Sequence, residues 1–239
     1  MIPNIKQSMR PLKLHLGAGK TTMGDGWINC DFLPSSTVDK LFDVTKEWPF
    51  PDNSVGEIYA SHMLEHLHDF RGFFKESWRV MLPVSSMLLR LPYGGHKLAW
   101  ADPTHTRPWF PESFCWLQPG YGEDLGSLQH YNWSWPFAIE MVQLRLNGKL
   151  VGWVDKKWKR RLLCRFLEFL DNVVDELWVH LRPVKTQEDF KSFRSTRASN
   201  VVPFQYVMYK HQMEGHELEK GEVADFVHLM DGFRLNDLE

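Results

Sequence analysis

Three leucines at alternate positions, Leu12, Leu14 and Leu16, are separated by Lys13 and His15 and run directly into Gly17-Ala18-Gly19. A period of two marks a strand, and the glycines mark the turn that ends it. The same grammar recurs along the next eighty residues. Trp27–Asp31 is a second short strand ending on an acid, residues 38–44 form a weaker third, and Val55–Ser61 is a fourth. Trp48-Pro-Phe-Pro-Asp-Asn-Ser between them is a turn, because two prolines so close together cannot sit inside a helix. Phe70, Phe73, Phe74, Trp78 and Met81 recur at helical spacing and predict an amphipathic helix over 68–81. Residues 86–91 are a fifth strand, stopped by Pro92-Tyr-Gly-Gly. Strands alternating with helices require crossover connections, and so a mostly parallel sheet.

Residues 92–137 break the pattern. They are rich in Pro and Gly and carry ten aromatics from Trp100 to Phe137, in a chain where aromatics make up 14%. So long an irregular stretch inside a domain reads as a lid or binding loop. A strand (139–146), a helix (about 156–174) and a strand (176–184) follow, then a polar linker over 185–200. The expected division is a domain over 1–184, with 92–137 as lid, and an extension over 185–239.

Composition narrows the function classes. A net charge of −2 gives no global basic footprint for nucleic acid. Cys30, Cys115 and Cys164 are odd in number and far apart, which offers neither a disulfide framework nor a Cys-x-x-Cys zinc site. No apolar run approaches the length of a membrane span and no secretory signal is evident, so a soluble, cytoplasmic chain is expected.

The glycine turn admits three readings. Gly-Lys-Thr at 19–21 suggests a P-loop, but that pattern needs a glycine five positions before Gly19, where Leu14 stands. A dinucleotide fingerprint needs a third glycine, where Thr22 stands, and an acid further on than Asp31. A loop for S-adenosylmethionine needs only small residues after strand 1 and an acid at the end of strand 2 to accept the ribose hydroxyls. Gly17, Ala18, Gly19 and Asp31 supply these.

Several further segments follow in order: Gly26-Trp-Ile-Asn-Cys-Asp31, Asp43-Val, Trp48-Pro-Phe-Pro-Asp-Asn-Ser, Ile58-Tyr-Ala-Ser-His-Met-Leu-Glu-His66 and Arg79-Val-Met-Leu-Pro. With the glycine turn, this series resembles the class I S-adenosylmethionine-dependent methyltransferases over residues 12–91. The closest likeness is to a subgroup with a truncated first helix and Leu-Glu-His after strand 4. Asp102-Pro-Thr-His-Thr-Arg-Pro-Trp-Phe-Pro-Glu-Ser-Phe114 looks like a lid motif of that subgroup. The resemblance implies a doubly wound, Rossmann-like, mostly parallel seven-stranded sheet of order 3-2-1-4-5-7-6, with an aromatic-rich lid after strand 5. It implies S-adenosylmethionine as cofactor, with Gly17, Ala18 and Gly19 against its methionine moiety and Asp31 on its ribose. Asp43 would lie near the adenine, and Ser61 and His62 beside the methyl group. Two departures stand out: the loop has only two glycines, and Arg79-Val-Met-Leu-Pro-Val lacks the family's usual Pro-Gly-Gly turn.

His62, Glu65 and His66 share a face if a helix begins that early, which suggests a metal half-site. The zinc signature, however, places Glu directly after its first His, so the expectation is no metal. Methyl transfer needs a base only for an acceptor that loses a proton during attack, and imidazole suits that role. His62, and His105 oriented by Asp102, are the candidates; Asp102-Pro-Thr also reads simply as a turn. Of the lid aromatics (Trp100, Trp109, Phe110, Phe114, Trp116, Tyr121, Tyr131, Trp133 and Trp135), most are expected to form the lid's own small core and two or three to line an acceptor pocket. Six cations over 156–165, from Lys156 to Arg165, precede an apolar stripe. They suit an anionic membrane or a lipid-linked substrate, or are simply a wet basic face.

The expected activity is methyl transfer to a hydroxyl or amine of a small molecule or sugar rather than to nucleic acid. The alternatives are a cofactor-binding partner without catalysis, and a metal-dependent hydrolase using His62, Glu65, His66 and His105.

Overall fold

The computed structural model describes residues 10–119, 134–146, 171–189 and 204–207. The strands are β1 (Leu12–Leu16), β2 (Trp27–Asp31), β3 (Lys40–Leu41), β4 (Val55–Ser61), β5 (Met81–Pro92), β6 (Phe137–Leu146), β7 (Val174–Pro183) and β8 (Phe204–Val207). They form one eight-stranded sheet in the order β3-β2-β1-β4-β5-β7-β6-β8. The first seven fall in the expected order, and β8, from the segment read as an extension, adds to β6 in parallel. β7 runs antiparallel to both neighbours, and the other described pairings are parallel.

The crossovers from β1 to β4 are made by loops. Four glycines within 17–26, and the prolines at 34, 49 and 51, keep these segments out of helix. α1 (Phe70–Val80) links β4 to β5; Asp69 caps it by accepting the Gly72 N–H at 2.9 Å. Its buried face, Phe73, Phe74, Ser77 and Val80, packs on a core that includes Leu14, Leu16, Ile58, Met87 and Leu89. Replacing Phe73 or Phe74 with Ala would cost about 3–5 kcal/mol.

Beyond β5 the chain makes two short helices, α2 (Leu98–Ala101) and α3 (Pro111–Cys115). Trp109 and Phe114 are buried in the main core, with Trp109 edge-on to Phe70 and tilted against Phe114. These two are packing residues, as expected for most of the lid aromatics. Trp100 is exposed and donates from Nε1 to the Gly94 carbonyl at 2.8 Å. Tyr121, Tyr131, Trp133 and the basic segment 156–165 lie outside the described residues. No helix among the described residues is long and apolar enough to cross a membrane.

The order of the sheet reverses between β1 and β4, and in open α/β sheets the crevice at the carboxyl ends of the strands beside such a switch point binds ligands.

Candidate active site

On one side of that switch point lies the glycine turn. Gly17 and Gly19 have φ of +67° and +56°, a region that favours glycine. Asp31, at the end of β2, is buried and holds the turn: its Oδ2 accepts the Gly19 N–H at 2.8 Å and its Oδ1 the Leu33 N–H at 2.9 Å. Ala18 donates its N–H to the Cys30 carbonyl at 3.0 Å, tying the turn to β2 a second time. A side chain at Gly17 would meet Met63, whose Cγ lies 2.6 Å from where a Cβ would stand. Gly17 therefore makes room for Met63, which follows β4. A Cβ at Gly19 would meet nothing within 4 Å, so the open approach to the turn is over Gly19.

This half of the edge also exposes apolar surface. Phe32 and Leu33, directly after Asp31, are 71% and 58% exposed, and Leu41, paired with Asp31 across β2 and β3, is 53% exposed. A nucleoside fits here. A carboxylate has about four acceptor positions, and each Asp31 oxygen has received one N–H, which leaves capacity for two hydroxyls beside apolar faces suited to a base. Asp43 sits just past β3, exposed. Its carboxylate is spent on its own turn, accepting the Thr45 N–H and hydroxyl at 2.8 and 2.7 Å, and these bonds hold its pKa below the usual range.

Across the switch point the edge is charged. Ser61 ends β4, and His62 after it has φ of +52°, strained for a side chain of this size. His62 Nε2 faces Glu176 Oε1 and its Nδ1 faces Glu65 Oε1, both at 3.4 Å. Burial opposes charge on the imidazole, but the negative charge of the facing Glu176 and Glu65 carboxylates outweighs it and pushes the His62 pKa up to about 9. In this arrangement His62 is a cation at neutral pH, a donor rather than a base.

Glu176, on β7, gathers the rest. It accepts from Arg90 Nη2 at 2.9 Å, Arg145 Nη1 at 2.9 Å and Trp178 Nε1 at 2.8 Å. Desolvation works against its charge, yet these donors and His62 hold its carboxyl far below the usual range. Arg90 also donates to the Tyr59 hydroxyl and stacks over the Trp178 ring, 4.5 Å from its centroid.

The segment after α2 closes over this end. Thr106 donates from N and Oγ1 to the Glu65 carbonyl, and Oγ1 also to that of Leu67, which staples the segment to the turn at 64–66. His105 Nδ1 faces the Ala99 carbonyl at 3.2 Å, so Nδ1–H donates and the neutral ring keeps a lone pair on Nε2. Asp102 Oδ2 is 3.8 Å from that Nε2, while its Oδ1 accepts the Thr104 N–H and hydroxyl. Asp102 thus forms the turn and faces the imidazole, but the acceptor that orients His105 is a backbone carbonyl.

These residues surround a cavity of about 590 Å³, lined by His62, Glu65, His66, His96, Asp102, His105, Arg145, Asp175 and Glu176 with Pro92 and Leu98. The structure therefore brings His62, Asp102 and His105 to one cavity, and Gly17, Ala18, Gly19 and Asp31 to the neighbouring turn. Asp43 does not line the cavity; it follows Phe42, whose N–H donates to the Asp31 carbonyl at 3.0 Å. Arg90, Arg145 and Glu176 are absent from the sequence reading. The helix that would put His62, Glu65 and His66 on one face does not begin that early: Glu65 and His66 lie on the three-residue turn Leu64–His66, ahead of α1.

Residues 36–89 match a family model described as a methyltransferase domain. That stretch runs through β3, β4, the turn at 64–66, α1 and most of β5. A search of curated proteins found no match. Among solved structures, the chain is similar to a SAM-dependent methyltransferase from Archaeoglobus fulgidus at 14% identity and a TM-score of 0.47, covering 72% of this chain and 86% of that one. It is similar to an S-adenosylmethionine-dependent methyltransferase from Mesorhizobium loti at 14% identity and a TM-score of 0.42, covering 72% and 90%. It is also similar to phosphoethanolamine N-methyltransferase 2 of Haemonchus contortus, solved with S-adenosyl-L-methionine, at 12% identity and a TM-score of 0.40, covering 72% and 48%. The sheet has the doubly wound, mostly parallel order expected from the sequence, and residues 36–89, which carry His62, Glu65 and His66, match the methyltransferase-domain model.

Proposed function

We propose that the chain transfers a methyl group from S-adenosylmethionine to a hydroxyl or amine of a small, polar acceptor, a sugar or comparable molecule. The observation that carries this reading is the adjacency of two unlike regions across one switch point: an open glycine turn held by Asp31, and a polar cavity beyond His62. A volume of about 590 Å³ suits a small molecule. Acids and imidazoles in its wall favour a partner rich in hydroxyls and disfavour a polyanion.

The bound cofactor supplies an electrophilic methyl on a sulfonium, and the protein's task is chiefly alignment. Asp31 receives the ribose hydroxyls, the open backbone at Gly19 lies against the methionine moiety, and Phe32, Leu33 and Leu41 cover the base. Ala18 and Gly17 shape the turn, and Ser61 and His62 mark its boundary with the cavity. His62, with both ring nitrogens turned to Glu176 and Glu65, places positive charge in the cavity wall. For a hydroxyl acceptor, the unprotonated Nε2 of His105 takes the proton and Asp102 stabilises the imidazolium that forms. An amine acceptor entering neutral needs no base during attack.

Incubation of the purified protein with S-adenosylmethionine and a panel of sugars, amino sugars and phenols, read by mass spectrometry, tests this. A methylated product that disappears with His105→Ala, while cofactor affinity is kept, is the expected result. Cofactor binding without product across such a panel would favour the non-catalytic alternative.

A further inference from the structure

One group in the cavity is unexplained by methyl transfer. Glu65 is 1% exposed, and neither of its carboxylate oxygens has a hydrogen-bond partner. His62 Nδ1 stands 3.4 Å from Oε1, which leaves Oε2 unmatched. A buried carboxylate is costly unless a cation or a set of donors answers it.

What faces it is a pair of imidazoles. His66 and His105 lie edge to face with centroids 4.8 Å apart, and Glu65, His66 and His105 each offer one ligand atom within 4.8 Å of the others. Both rings have their tautomers set from behind. The single hydroxyl proton of Thr104 goes to Asp102 Oδ1 at 2.6 Å, so its 3.0 Å contact with His66 Nδ1 is one in which Thr104 accepts. His105 Nδ1 donates to the Ala99 carbonyl in the same way. Each neutral ring is left with its lone pair on Nε2. Such outer acceptors on Nδ1 are what metal-ligating histidines use to fix tautomer and orientation.

We propose that Glu65, His66 and His105 bind a first-row divalent transition metal, with zinc well matched to the donors, and leave a coordination position open to the cavity. Two imidazoles and one carboxylate suit zinc and its neighbours rather than magnesium or calcium, which prefer oxygen alone. Zinc–nitrogen bonds of 2.0–2.1 Å in a tetrahedron place ligand atoms roughly 3.4 Å apart. The triad therefore closes by about an ångström, a movement that the exposed His66 side chain accommodates. The zinc signature is missing from the sequence because the two histidines are not on one helix; the Thr106 staple delivers His105 from a segment that follows β5. With the cation bound, the lone pair of His105 goes to the metal. On the methyl-transfer reading, the metal would act as a Lewis acid that acidifies a coordinated acceptor hydroxyl, whose proton would leave to solvent through the open cavity.

The test uses the full chain, stripped with a chelator and titrated with Zn²⁺ by calorimetry and with Co²⁺ by visible absorption. One equivalent should bind, with ligand-field bands for Co²⁺ and a raised melting temperature. His66→Ala and His105→Ala should each weaken binding by roughly a hundredfold or more, since loss of even an outer-shell partner costs about 10- to 100-fold. His68→Ala, an exposed histidine outside the triad, should bind as the wild type does. Circular dichroism of the metal-free variants establishes that they are folded, and His66→Ala, at an exposed position, keeps the test sound if Glu65→Gln does not fold. Absence of stoichiometric binding by the wild type, or unchanged affinity in folded His66→Ala, overturns the site. Metal binding without S-adenosylmethionine binding would uphold the site while the methyltransferase reading fails, so the two failures are distinguishable.

Discussion

The two halves of the sheet's carboxyl edge are built on different principles. Around β1–β3 the site is local backbone: a glycine turn, one carboxylate that bonds that turn and the residue two positions on, and exposed apolar side chains beside it. Around β4–β7 it is long-range charge, with Glu176 joining Arg90, Arg145 and His62 from three other segments. The first half presents an open turn with spare carboxylate acceptor capacity beside exposed apolar side chains. The second fixes protonation states, holding Glu176 ionised and His62 charged. On the proposed function, recognition of the cofactor and control of the acceptor are separated at a single strand junction.

The largest effect expected from breaking this contrast is at Glu176. Glu176→Ala would leave two guanidinium groups and an imidazolium without their anion, and loss of one partner of a buried charged set costs about 3–5 kcal/mol. Chemical denaturation measures it. Because the folded pKa of Glu176 is depressed, its contribution is present above the ordinary carboxylate value of 4.5 and is lost as pH falls through the folded value. The melting temperature of Glu176→Gln should therefore respond less to acid below that range than the wild type's does.

On the other side, Gly17→Ala combines a left-handed φ with a clash against Met63 and should cost about 2 kcal/mol. Adding Met63→Ala should recover the steric part but not the backbone part. Full recovery would mean that the φ carries no strain. The smallest effect is expected at the staple: Thr106→Val removes a hydroxyl donor and should cost about 1 kcal/mol. Hydrogen exchange should then quicken in 102–107 while the β1–β2 turn stays unchanged.

The same contrast governs what could be read from the sequence. β1, β2 and β4 are legible because alternation and glycine punctuation are local, and Gly17, Gly19 and Asp31 follow from them. β5 begins earlier than its apolar run suggests, since Met81 turns from α1 into extended backbone without an intervening loop. Glu176 and Arg145 are invisible in one dimension: only the antiparallel register that sets Arg145 opposite Glu176, and Arg90 opposite Trp178, brings them together. Glu65 and His66 were legible as a cluster. The hydrolase alternative joins His105 to them, but the distances among the three depend on a tertiary staple to two backbone carbonyls that sequence spacing does not encode.

The central claim is that Asp31 receives the cofactor's ribose. Calorimetric titration of the wild type and of Asp31→Asn with S-adenosylmethionine tests it most directly, with circular dichroism to establish that the variant keeps its fold. One equivalent should bind to the wild type, and the variant should bind about tenfold more weakly or worse, given roughly 1.5–3 kcal/mol for a hydrogen bond to a charged group. Equal affinity in the two folded proteins would contradict the claim.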